Sequence, residues 1–171
     1  MEERTGMITM MGNPLTLLGP ALKVGDNAPD VEVLNNDLQP VSISSFGKKA
    51  YALASVPSLD TSVCDMETRK FNEAAAGLGD DVAILTVSMD LPFAQKRWCG
   101  AAGIENVVTL SDHRDASFGM AYGVLIKELR LLARAVFVLD SDRVIRYLEL
   151  VKEVTEEPDY EAALNAVKGL V

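Results

Sequence analysis

Ala50-Tyr-Ala-Leu-Ala-Ser-Val56 followed by Pro57-Ser-Leu-Asp-Thr61-Ser-Val-Cys64 is an apolar run that ends in a proline turn and then turns polar. The run reads as a buried strand. Beyond the turn, Val63, Met66, Phe71, Ala74, Ala75 and Leu78 recur at helical spacing, and Gly79 is a stop, which predicts a helix from Ser62 to about Leu78. Ser62 and Asp65 fit the [ST]-x-x-[DE] capping pattern at its start. Cys64 therefore falls in a first helical turn, where unpaired N–H groups and the helix dipole favour negative charge on sulfur.

Outward from this unit the pattern repeats. Asp81 to Ser88 is β-branched and apolar nearly throughout, as in a central strand covered on both faces. A second helix follows Pro92 and ends near Gly100 or Gly103, Asn106 to Leu110 reads as a strand, and Ala116 to Tyr122 as a short helix. Leu131 to Leu139 and Arg143 to Val151 are strands around the turn Asp140-Ser-Asp142, and a last helix starts near Pro158. Upstream, Val31 to Leu34 and Val41 to Ser44 suit short strands, and Met7 to Gly19 suits a hairpin about Gly12-Asn-Pro14. Strands alternating with helices, then an antiparallel pair and a final helix, predict a mixed central sheet flanked by helices with an N-terminal hairpin, in the order of a thioredoxin-like α/β fold. Residues 7–171 are expected to form one domain and residues 1–6 a disordered extension.

With 171 residues, 49% of them hydrophobic, the chain can close one sizeable core. No stretch reaches the roughly 18 apolar residues of a membrane span, and the first residues lack the basic and apolar parts of a signal peptide. The expected setting is the cytoplasm, where a cysteine pair is more often catalytic than a permanent crosslink. A net charge of −9 without clustered Lys and Arg excludes nucleic acid as an expected partner.

The two cysteines differ in placement. Cys99 lies near the end of its helix, where the dipole disfavours a thiolate, so electrostatics assign the nucleophile to Cys64 and the second sulfur to Cys99. Residues 65–98 separate them, which is no CxxC motif, and with His113 as the only histidine no metal site is expected. Arg134 interrupts an apolar strand and needs an anionic partner. Blander readings compete: Cys99 as core filler beside Trp98, Arg134 as a strand-edge arginine paired with a surface carboxylate, Thr61 as a helix cap without chemistry, His113 as a solvated loop residue.

The spacing Pro57, Thr61, Cys64 resembles the PxxxTxxC motif of the peroxiredoxins. Ala28-Pro-Asp30, Ser58 to Cys64, Leu110-Ser-Asp112, Phe118-Gly-Met-Ala-Tyr-Gly123, Leu132-Ala-Arg-Ala135 and Glu157-Pro-Asp-Tyr-Glu-Ala162 narrow the resemblance to bacterial thiol peroxidases, atypical two-cysteine peroxiredoxins, from about Met7 onward. That resemblance implies a hydroperoxide substrate, Cys64 as peroxidatic and Cys99 as resolving cysteine of the same chain, Pro57, Thr61 and Arg134 around the peroxide, no cofactor, thioredoxin as reductant and a homodimer. A redox sensor that passes its disulfide to a partner and a thioredoxin-fold binding module without a reactive thiol are the rival classes.

Overall fold

The computed structural model describes all 171 residues. At its centre β5 (Ala50–Ser55), β6 (Val82–Ser88) and β7 (Val108–Ser111) run parallel, with Leu53 opposite Leu85 and Val87 opposite Leu110. On the far side of β5 lie the antiparallel β10 (Ala135–Asp140) and β11 (Ile145–Leu150); beyond β7 lie β3 (Glu32–Leu34) and β4 (Pro40–Ser42). The order β11-β10-β5-β6-β7-β3-β4 makes β6 the middle of seven, as its unbroken apolar run requires.

The two faces of this sheet are packed differently. Tyr51, Leu53, Leu85, Val87, Phe137 and Leu139 meet Phe118, Tyr122 and the apolar residues of a smaller sheet. The opposite face presents Ala50, Ala52 and Ala54 beside Ile84, Val136 and Val138, and small residues there let Phe71 of α1 (Ser62–Ala75) and Ala163 and Val167 of α4 (Tyr160–Lys168) pack close. The thioredoxin-like arrangement is completed by α2 (Pro92–Ala102) and α3 (Ser117–Ala121). No helix is long and apolar enough to cross a membrane.

The smaller sheet, β1-β2-β8-β9, corrects three expectations. First, β1 (Glu3–Met10) begins inside the segment expected to be a disordered extension: Glu3, Arg4 and Thr5 pair with Leu18, Leu17 and Thr16 of β2 (Asn13–Leu18). Arg4 fixes it, donating from Nε to Gly19 O at 3.0 Å and from Nη2 to Gly123 O. Second, the hairpin turns at Met11-Gly12, both with positive φ as a two-residue type I′ turn demands, and Asn13 and Pro14 already belong to β2. Third, the apolar run Leu131 to Leu139 is two strands. β9 (Leu131–Leu132) pairs with β8 (Leu125–Ile126) in the small sheet, β10 belongs to the large one, and Ala133 and Arg134 cross between them.

Candidate active site

The strand β5 runs through buried Val56 and Pro57 into a loop held by Asp90. The Asp90 carboxylate accepts from Ser58 Oγ at 2.7 Å, Leu59 N at 2.8 Å and Ser88 Oγ at 2.7 Å, which pins the loop to the end of β6. The loop delivers Thr61 as the N-cap of α1, in extended backbone, its hydroxyl donating to Ser58 O at 3.0 Å and accepting from Cys64 N at 3.3 Å. The cap is thus Thr61 and not Ser62. Asp65 closes no capping box; it accepts from Arg69 Nε at 3.0 Å and Trp98 Nε1 at 2.8 Å.

The buried stripe of α1 is Cys64, Glu67, Thr68 and Phe71, at i, i+3, i+4 and i+7. Met66, placed in the core by its apolar character, is 46% exposed. Here hydrophobic periodicity misled by pointing to the neighbouring stripe, because two of the four inward positions are polar. Glu67 and Arg134 explain why. Arg134, fully buried, donates from Nη1 to Glu67 Oε2 at 2.5 Å, from Nη2 to Cys64 Sγ at 3.3 Å, and from Nε and Nη2 to Val154 O at 3.2 and 3.0 Å. The anionic partner required by Arg134 is therefore a buried glutamate, and the surface-pair reading is excluded. Glu67 was not singled out from the sequence, yet its offset of three from Cys64 in a helix puts both on one face.

Burial pushes Glu67 up to about 7, against the opposing pull of Arg134, and its Oε1 is buried without a hydrogen-bond partner. For Arg134 burial works against the charge, but Glu67 and Cys64 outweigh it and raise its affinity for the proton, so the guanidinium stays charged. A cation and an N–H donor thus face the Cys64 sulfur, which lies under Val56, Leu59 and the Trp98 ring.

Cys99 is elsewhere. Near the end of α2, as expected, it is half-buried, with Sγ 3.3 Å from Thr109 Oγ1. It lines a surface pocket of about 270 Å³ with Asn36, Asp37, Ile104, Val107 and Thr109. Both thiols are free. Between the two helices runs a polar link made by the residue next to each cysteine, Asp65 to Trp98, with the Arg69 guanidinium 5.8 Å from the Trp98 ring centroid. Thr61, Cys64 and Arg134 come together, with Pro57 buried in the loop that leads to Thr61, while Cys99 lines a different pocket.

The chain is similar to known proteins over nearly its whole length. The Redoxin family profile matches residues 23–164. A thiol peroxidase of Halalkalibacterium halodurans is 60% identical over 95% of this chain and 97% of its own, and one of Bacillus subtilis is 57% identical over 96% and 98%. The chain belongs to the thiol peroxidases of the redoxin family. As a thiol peroxidase it is an oxidoreductase of the peroxiredoxin type, and a crystal structure of a peroxiredoxin-like protein from Aquifex aeolicus has the same fold, with TM-score 0.91 and 47% identity over 98% of both chains. The fold persists in a thiol peroxidase from Chromobacterium violaceum at 19% identity, with TM-score 0.85 over 95% of each chain.

Proposed function

We propose that the chain reduces hydroperoxides with Cys64 as peroxidatic and Cys99 as resolving cysteine, recycled by thioredoxin. The observation that carries this reading is the Arg134 Nη2 contact with Cys64 Sγ at the capped start of α1. The Cys64 sulfur attacks the terminal oxygen of the hydroperoxide; the O–O bond breaks, sulfur keeps one oxygen as a sulfenic acid, and the departing alkoxide or hydroxide takes up a proton. Arg134 and first-turn N–H groups are the donors for that developing charge, and the Thr61 hydroxyl joins them when substrate draws its hydrogen away from Ser58 O. Pro57 shapes the turn that carries Thr61 and walls the pocket. Cys99 then condenses with the sulfenic acid to a disulfide and water, and the thioredoxin dithiol reduces it by exchange.

The sulfurs sit on separate helices and a disulfide requires Cα atoms within about 4.4–6.8 Å, so the reading includes local unwinding near one or both cysteines and opening of the Asp65–Trp98 link. A homodimer in the cytoplasm completes the reading. Peroxide consumption with thioredoxin and its reductase tests it: Cys64→Ser should abolish turnover, and Cys99→Ser should stop after one turnover with an oxygen adduct on Cys64 seen by mass spectrometry. Unchanged steady-state turnover of Cys99→Ser would overturn the resolving role. Disulfide formation without sustained turnover would mark a sensor instead, and a monomer in sedimentation equilibrium well above micromolar concentration would remove the dimer.

A further inference from the structure

The surroundings of Cys99 carry a direction. Its sulfur lies 3.3 Å from Thr109 Oγ1, a buried hydroxyl on β7, and Thr109 Oγ1 donates to Asn36 Oδ1 at 3.0 Å in the turn between β3 and β4. A threonine hydroxyl has one hydrogen and two lone pairs. With its hydrogen given to Asn36, Thr109 can offer sulfur only a lone pair, so Cys99 S–H must be the donor. The same turn ties α2 down one helical turn earlier, where Lys96 Nζ sits 2.9 Å from Asp37 Oδ1.

We propose that Thr109, oriented by Asn36, is a positioning residue for the resolving step: it holds Cys99 as a protonated donor in the reduced protein and must release it before sulfur can travel to Cys64. This rests on the reading of Cys99 as the resolving cysteine. A Cys99 thiolate would face a lone pair at this site until Thr109 turned its hydrogen away from Asn36. Peroxide therefore meets one sulfur prepared for it, Cys64, while the other is kept protonated in its pocket. The balance of the later step fits: S–O of the sulfenic acid and S–H of Cys99 break, S–S and O–H form, and the hydrogen retained at Thr109 leaves in the water.

The test is the rate of Cys99 alkylation by iodoacetamide in the reduced Cys64→Ser protein, where Cys99 is the sole thiol. Thr109→Val, which keeps the shape and loses the hydroxyl, should speed alkylation about threefold, the order of one hydrogen bond of modest net worth. Thr109→Ser, which keeps the hydroxyl and loses the methyl, should restore the parental rate. Asn36→Ala, on a surface turn, frees the Thr109 hydrogen to turn toward sulfur and should also speed alkylation, but add nothing in the Thr109→Val background. A parental rate in both Thr109→Val and Asn36→Ala, or a Thr109→Ser rate equal to that of Thr109→Val, overturns the proposal. Rapid quench of the unsubstituted protein after one equivalent of hydrogen peroxide separates the two claims. Absence of a Cys64–Cys99 disulfide there removes the resolving role itself, whereas its presence with unchanged alkylation rates removes only the part given to Thr109.

Discussion

Glu67→Gln exchanges a buried carboxyl for an amide of the same shape, and its effect on stability has a definite sign. In the folded protein burial pushes Glu67 from 4.5 up to about 7, with Arg134 opposing. In the unfolded chain the carboxyl releases its proton near the ordinary value. Between these two the folded state binds the extra proton, so this group's contribution to stability is highest below about pH 4.5, falls as pH rises through the window, and reaches its lowest level above about pH 7. A shift of this size corresponds to a loss on the order of 3 kcal/mol across the window. Glutamine has no proton to release, so the variant should lack that slope, although Arg134 then loses its anionic partner and the absolute stability falls as well. Urea unfolding of the reduced protein near pH 5 and near pH 8 measures the difference. The parent should lose roughly 2.5 kcal/mol more than Glu67→Gln between the two conditions, since pH 5 already lies inside the window. Parallel profiles would refute the reasoning, because they would mean that the guanidinium fully offsets burial and Glu67 is ionised throughout.

Arg134→Met should slow oxidation of Cys64 by about 100-fold or more, the scale of losing one donor aimed at the developing charge, and the slowing should persist at alkaline pH, where the thiol is ionised in any case; full rescue by high pH would leave only the charge effect. Trp98→Phe keeps the ring over Cys64 but removes the N–H that donates to Asp65. Disulfide formation after a peroxide pulse should then quicken about fivefold, as expected for one hydrogen bond worth roughly 1 kcal/mol, and an unchanged rate in rapid quench would show that the link does not hold the helices apart. Hydrogen exchange should be faster in the disulfide form around Thr61 to Glu67 or Lys96 to Ala102, with the strand Val82 to Val87 unchanged; identical profiles in both segments would mean that the sulfurs meet without unwinding.

Much of this architecture is legible in the chain because its signals are local. The run Val82–Ser88 declares a central strand by composition, and Pro57, Thr61 and Cys64 declare a turn, a cap and a thiol by spacing alone. What escapes is set by partners distant in sequence. Leu131 to Leu139 looks continuous because apolar residues satisfy either sheet, and only the pull of Glu67 and Cys64 on Arg134 reveals where the chain changes sheets. Glu67 escapes because a carboxylate in an amphipathic helix is normally assigned to solvent. Residues Glu3 to Thr5 are polar enough to pass for a tail, and their place depends on pairing with Leu18, Leu17 and Thr16.

The arginine beside Cys64 is carried by residues that cross between two sheets, 70 positions further along the chain. A ribosome adds Arg134 only 70 residues after Cys64, and an unfolded chain holds no lasting contact between the two. The contact between Arg134 and Cys64 is thus a property of the finished molecule. Until both sheets have assembled, the nascent protein lacks the cation beside this sulfur, and any event that separates the sheets withdraws it. The pairing of Arg134 with Cys64 doubles as a gauge of completed folding, because a chain that fails to assemble leaves this sulfur without its cation.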